Sequence, residues 1–170
     1  MIYIYNDYGG THTTSLAAAY HLKNLPQSER KLTTEEILNT KYFNKLTKAD
    51  FGKLIFHGID EDGNSVYTIG RKRNKYVVPA LKEMSLLLQE KFKFDEKIIF
   101  SNTSPTVPFA MSMGGFFSRG LKIDFIGVPL LVAGAKQCCD KVYRLVENTK
   151  DIGRTTYKEN IIILENEMFK

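Results

Sequence analysis

Hydrophobic and polar positions along this chain switch between a period of two and a period near 3.6, and the switches mark its elements. Residues 2–6, Ile-Tyr-Ile-Tyr-Asn, are mostly β-branched or aromatic and lead toward a glycine pair, the pattern of a short strand entering a tight loop. A helix is predicted from Thr14 or Ser15 through Leu16-Ala17-Ala18-Ala19-Tyr20-His21-Leu22, closed by Pro26. Thr33-Thr34-Glu35-Glu36 predicts a second helix, with Thr33 accepting from the third helical amide and Glu36 reaching back. Residues 53–59 and 65–70 read as strands, and Asp60-Glu61-Asp62-Gly63-Asn64 between them suits a hairpin turn.

Pro79 fits the first turn of a helix running to about Phe92, with Leu81, Met84, Leu88 and Phe92 at helical spacing. Residues 97–101, Lys-Ile-Ile-Phe-Ser, form the apolar run of a central strand buried on both faces. Asn102 to Pro105 is a loop leading to a helix near Val107 or Pro108, which carries Met111, Met113, Phe116 and Phe117. The pair Gly114-Gly115 permits close backbone packing there or marks a break. Residues 123–127 read as a further strand, followed by a loop at Pro129 and a helix over 134–148. Residues 161–164 have strand character, with a sheet edge, a dimer contact and a loose surface segment all open.

Strands separated by helices, with one hairpin, predict an α/β fold: a single-domain three-layer sandwich around a mixed, mostly parallel sheet. The α/β domain is expected over residues 1–150, with 151–170 as a C-terminal extension, either an edge strand or a flexible tail. In such sheets ligands bind outside the carboxyl ends of the strands. That rule selects the loop from Asn6 to Ser15 and the loop from Ser101 to Pro105.

Composition narrows the classes. A chain of 170 residues suits one core that buries roughly 70% of the unfolded surface. No segment approaches the ~18 unbroken apolar residues of a membrane span, and no secretory signal is visible, so a cytoplasmic location is expected. Cys138 and Cys139 are adjacent, a poor geometry for a structural bridge. The net charge of +5 is dispersed apart from Arg71-Lys72-Arg73-Asn74-Lys75, which reads as a solvated loop or as a phosphate-binding patch. Aromatic interleaving is lacking there, so a small anionic ligand is the expected partner and nucleic acid is not.

The first loop, Tyr8-Gly9-Gly10-Thr11-His12-Thr13-Thr14-Ser15, has the ingredients of an anion cradle. Glycines let backbone approach a ligand, helix-start amides point outward, and the helix dipole favours negative charge. Gly9, Gly10, Thr11, Thr13, Thr14 and Ser15 are the ligand-binding candidates, and the unit is P-loop-like in plan. It lacks the P-loop lysine in either register, which removes ordinary P-loop hydrolysis. Threonine caps after a glycine turn explain the same residues without a ligand. His12 is the one side chain of the loop that moves a proton near neutral pH, and is the catalytic candidate.

Asn102, Thr103 and Ser104 follow a buried strand, placed to orient a ligand or simply to make the connection. Arg119 pairs with an anion or caps the preceding helix. His57 with Asp60 is a weak metal pattern, and the acidic turn after it has its glycine too early for a calcium loop. No metal ligand and no cofactor are assigned. The nucleophile elbow, the phosphatase cysteine loop and the dinucleotide fingerprint are all missing. The expected function is binding of a phosphorylated small molecule or nucleotide at the first loop, with phosphoryl transfer or hydrolysis as its chemistry. The alternative is a non-enzymatic regulatory or interaction module.

Tyr8-Gly9-Gly10-Thr11-His12-Thr13-Thr14, Tyr42-Phe43, the stretch from His57 to Tyr67 and Gly70-Arg71 together carry a resemblance. So do Asn102-Thr103, Gly114-Gly115-Phe116, Ser118-Arg119 and Gly127-Val128-Pro129-Leu130. Over roughly residues 1–148 the chain resembles an uncharacterised family, a domain of unknown function, of small proteins from clostridia and related spore-forming Firmicutes. The resemblance implies a stand-alone cytoplasmic bacterial protein with a glycine, histidine and hydroxyl loop, and it transfers no activity. Thr13 and Thr14 stand where two serines are expected in many relatives.

Overall fold

β1 (Ile2–Asp7) is the middle strand of a five-stranded sheet of order β2-β3-β1-β4-β5. The computed structural model describes residues 1–156 and 159–170. The other strands are β2 (Ile55–Ile59), β3 (Ser65–Gly70), β4 (Ile98–Asn102) and β5 (Ile161–Leu164). β1 is parallel to β3 and β4, β4 is parallel to β5, and only the β2–β3 hairpin is antiparallel. The sheet is therefore mixed and mostly parallel, as its alternation of strands and helices predicts.

Alternate residues of β1 feed two cores, because successive strand side chains point to opposite faces. Tyr3 and Tyr5 join Ile99, Val66 and Ile162 on one face; Ile4 joins Ile69, Phe100 and Ile161 on the other. The first core is covered by α1 (Thr13–His21), α2 (Thr34–Asn39) and α5 (Asp124–Thr155). α1 is small and apolar through Leu16-Ala17-Ala18-Ala19, so it lies flat on the sheet with every residue buried. α2 begins with the predicted reciprocal cap between Thr33 and Glu36. The second core is covered by the start of α3 (Val77–Phe92), which buries only Val78 and Gln89 and leaves Met84, Leu88 and Phe92 exposed.

The expected strand at 123–127 is overturned. Asp124 to Gly127 form the first turn of α5, with Phe125 at 80% exposure, a position incompatible with a sheet interior. The local β-propensity of Ile123-Asp-Phe-Ile loses to tertiary packing, for a Cβ on Gly127 would sit 2.5 Å from the Ser118 amide. Pro129 is carried inside the helix rather than ending a loop. α4 (Phe109–Gly115) packs closely on α5, with a Cβ on Gly114 falling 2.6 Å from the Leu131 amide. The chain then passes through a π-helical turn, Phe116–Gly120.

The crossover from β3 to β4 runs through α3, and that from β4 to β5 through α5, on opposite faces but in the same direction along the sheet. The two are thus of opposite hand, and one departs from the right-handed rule that holds for about 98% of such units. The chains leaving β1 and β4 consequently both turn toward the α1 face, while the chain leaving β3 turns toward α3. Two distinct environments result at the carboxyl edge of the sheet.

Candidate functional site

On the α1 face, strand order makes β1 and β4 neighbours, so the two loops selected from the sequence meet. Thr13 Oγ1 lies 3.0 Å from Thr103 Oγ1 and donates to Asp7 Oδ2 at 2.9 Å. Asp7 Oδ1 accepts from the Gly10 amide, and the Gly9 amide also bonds this carboxylate. Burial pushes the Asp7 carboxyl above its ordinary range, against these donors and Arg71, which favour the charged form. The glycine amides thus already serve a carboxyl group from within the chain. Gly10 is obligatory there: its φ is +71°, and a Cβ would fall 2.5 Å from the Gly70 amide.

Thr11 is tied to a covering loop. Its hydroxyl donates to the Tyr42 carbonyl at 2.7 Å, and its own carbonyl accepts from the Asn44 amide at 3.1 Å. Tyr42 and Asn44 hold φ of 63° and 53°, a left-handed conformation that asparagine tolerates better than tyrosine. That backbone brings Asn44 Oδ1 to 3.2 Å from His12 Nε2. Asn44 Nδ2 donates to Ser118 Oγ at 2.9 Å, and Ser118 Oγ donates to Asp124 Oδ1 at 2.5 Å. This direction of donation assigns the His12 proton to Nε2, and Nδ1 has no hydrogen-bond partner among the described residues.

The His12 ring is half-buried, packed edge-on against Phe43 with centroids 5.5 Å apart. Gly115 flanks its far edge, where a Cβ would meet Cε1 at 3.3 Å and Nδ1 at 3.7 Å. Burial lowers the imidazole to about 4, the Asn44 bond opposes this, and the Arg119 charge adds to it. His12 is therefore neutral at pH 7. Arg119, in the π-helical turn, donates to the Leu46 carbonyl within the same covering loop.

His12 stands at the N-cap of α1 without a side-chain capping bond. The Thr14 and Ser15 hydroxyls in the first turn are buried and meet no partner among the described residues. Two unsatisfied hydroxyls at an uncapped helix start are costly unless something completes them.

Asn102 and Ser104 do not join this group. Asn102 lies on the opposite face, donating to Glu165 Oε2 at 2.8 Å and accepting from the Ser104 amide at 3.0 Å. His57 and Asp60 also part company. His57 Nε2 meets Thr68 Oγ1 at 3.1 Å, whereas Asp60 meets His21 Nε2 at 3.0 Å and closes the hairpin turn through the Asn64 amide. His21 Nδ1 accepts from the Tyr5 hydroxyl at 2.7 Å, making a buried Tyr–His–Asp chain beneath α1. Among the described residues no group of three or more His, Cys, Asp or Glu is arranged to hold a metal ion. Cys138 and Cys139 are free and buried in α5.

Sequence reasoning missed Asp7, Asn44, Ser118 and Asp124 as members of the site. Asp7 had a signal, an acid at the end of a buried strand directly ahead of Tyr-Gly-Gly. Asn44, 32 residues from His12, had none.

No helix among the described residues is long and apolar enough to cross a membrane. A search of curated proteins found no match, and neither did a search of solved structures. A family model described as a protein of unknown function (DUF3189) matches residues 2–151, the span that holds β1, both loops, the covering loop and nearly all of α5, and the chain belongs to that family.

Proposed function

We propose that the protein binds a small phosphorylated molecule or nucleotide where α1 begins, with His12 as its reactive side chain and phosphoryl transfer or hydrolysis as its chemistry. The observation that carries this reading is the chain from Asp124 through Ser118 and Asn44 to His12, which sets one tautomer and presents Nδ1 unprotonated. A base oriented by a second group, itself oriented by a third, is the arrangement that proton transfer and nucleophilic attack require. The dipole at the start of α1 favours the negative charge of a phosphate, and the buried Thr14 and Ser15 hydroxyls beneath it are without partners among the described residues. A bound dianion raises the imidazole back toward neutrality, where it exchanges protons efficiently. Because Gly9 and Gly10 serve Asp7, the ligand is held by the helix start rather than by the glycines. The scaffold for this reading is a three-layer sandwich with a P-loop-like first unit, supported by the two cores on opposite faces of the sheet.

Calorimetric titration with inorganic phosphate, sugar phosphates and nucleotides tests it. At least one ligand binds the wild-type protein, and His12→Ala and Asn44→Ala each weaken that ligand about tenfold or more while circular dichroism stays unchanged. Unaltered affinity and turnover in His12→Ala would remove His12 from the site.

A second reading, a non-enzymatic interaction module, is favoured by Phe109, Phe116 and Phe125, which are 81%, 55% and 80% exposed around the α4–α5 turn. Failure of the whole ligand panel, with a stable complex recovered from cell extract that Phe125→Ser abolishes, selects that reading instead.

A further inference from the structure

The face opposite His12 carries a cavity of about 130 Å³ at the carboxyl edge of the sheet, lined by Asn6, Arg71, Lys75, Asn102 and Glu165, with Val78, Pro79 and Ile163 as its apolar wall. It exists because the chains leaving β1 and β4 turn away toward α1, so nothing from those loops covers the strand ends on this side. Register aligns its polar floor. Asn6 pairs with Asn102 across β1 and β4, and Ser101 pairs with Leu164, which brings Glu165 beside Asn102.

Charge is ordered along that row. Arg71 reaches in from the β3 side and donates Nε–H to Asn6 Oδ1 at 2.9 Å; Glu165 reaches in from the β5 side and accepts from Asn102 Nδ2 at 2.8 Å. The order cation, amide, amide, anion therefore runs across the ends of four neighbouring strands, β3, β1, β4 and β5, adjacent ones about 4.8 Å apart. Neither charge is closed into an ion pair among the described residues, although Arg71 lies near enough to Asp7 to favour its charged form. Among the described residues the terminal nitrogens of Arg71 make no hydrogen bond or ion pair, and Glu165 makes no ion pair. Lys75, whose ammonium lies 5.2 Å from the Tyr76 ring centre, adds a second cation at the Arg71 end. The first turn of α3, which supplies Val78 and Pro79, brings its positive dipole end to the cavity.

A simple anion would be repelled by Glu165 and a simple cation by Arg71 and Lys75. A molecule carrying both charges a few ångströms apart satisfies both ends. The volume falls well short of the ~300 Å³ at which drug-sized pockets begin. We propose that this cavity binds a small zwitterion of the α-amino acid class, its carboxylate toward Arg71 and Lys75, its ammonium toward Glu165, and a short side chain against Val78, Pro79 and Ile163. The site is separate from His12 and stands independently of the reading given there.

The test is a titration of the full-length protein with glycine, alanine and serine, followed by the side-chain amide resonances of Asn6 and Asn102 and by calorimetry. N-acetylalanine lacks the cation, alaninamide lacks the anion, and inorganic phosphate is the anion control. At least one free amino acid should shift both asparagine resonances and saturate, with all three controls about tenfold weaker or worse. Glu165→Gln should weaken the amino acid about tenfold and leave N-acetylalanine unchanged; Arg71→Gln should weaken both; His12→Ala should change neither. N-acetylalanine or phosphate binding as tightly as the amino acids would overturn the zwitterion in favour of an anion site. Unmoved Asn6 and Asn102 resonances at saturating millimolar amino acid would overturn the site altogether.

Discussion

The two faces of the sheet's carboxyl edge use similar polar residues to opposite ends. On the α1 face, Asp7, Gly10, Thr13 and Thr103 meet one another, so the loop that looks most like an anion cradle is filled from within. On the α3 face, Arg71 and Glu165 approach neighbouring asparagines and make no ion pair among the described residues. A satisfied buried network contributes to stability, and removing one member strands the others. A row with unused donors and acceptors contributes little to stability and much to recognition. The comparison teaches that residue type selects a candidate, while the destination of each hydrogen bond decides whether it supports the fold or remains available to a ligand. His12 belongs to both classes: its Nε2 is committed to Asn44 and its Nδ1 is not.

Acid gives the largest effect with which to sharpen that division. Burial lowers His21 and His57 to about 4, so both are neutral in the fold but charged below about 6.5 when unfolded. The unfolded state then binds more protons between pH 6.5 and 4, so stability falls as pH falls through that window. Each group costs up to about 3 kcal/mol at the lower end. Together they are comparable to a typical total of 5–15 kcal/mol. Thermal melts from pH 7.5 to 4.5 should show a steep loss of Tm. A flat profile over that range would contradict the buried, neutral assignment.

Next in size is the pairwise contrast between faces. Asp7→Ala leaves the Gly10 amide and the Thr13 hydroxyl without their acceptor and should cost about 2–4 kcal/mol in urea unfolding. Glu165→Gln, on an exposed residue, should stay within about 0.5 kcal/mol of wild type. Equal effects would dissolve the distinction between a structural network and an open one. Smaller still is Gly115→Ala, whose methyl group would press on His12 Cε1 at 3.3 Å. It should alter Tm by about 1 kcal/mol equivalent or less, yet weaken a ligand bound at Nδ1.

Much of this architecture is legible in the sequence. β1, β3 and β4 announced themselves as β-branched and aromatic runs, and the Thr33 cap of α2 needed only a four-residue pattern. The strand expected at 123–127 failed because four residues of β-propensity could not report that Gly127 would be pressed against Ser118. The candidate loops were placed by a local rule, but their members were not sorted by it. Thr103 faces Thr13 while its neighbour Asn102 faces Glu165, a split set by strand alternation and by the position of β5 at the sheet edge. Asn44 depends on a left-handed backbone in an irregular loop, for which the sequence carries no periodic signal.

The central claim is that His12 is held as a neutral imidazole with its proton on Nε2 and Nδ1 presented to a phosphorylated ligand. Long-range nitrogen–proton NMR of the imidazole across a pH titration, with and without inorganic phosphate or the best ligand of the panel, tests it directly. The account predicts a single Nε2–H tautomer at pH 7, a pKa near 4 in the free protein, and an upward shift when the ligand is added. A His12 that titrates near 6.5 with mixed tautomers, and that ignores every phosphorylated compound offered, would contradict it.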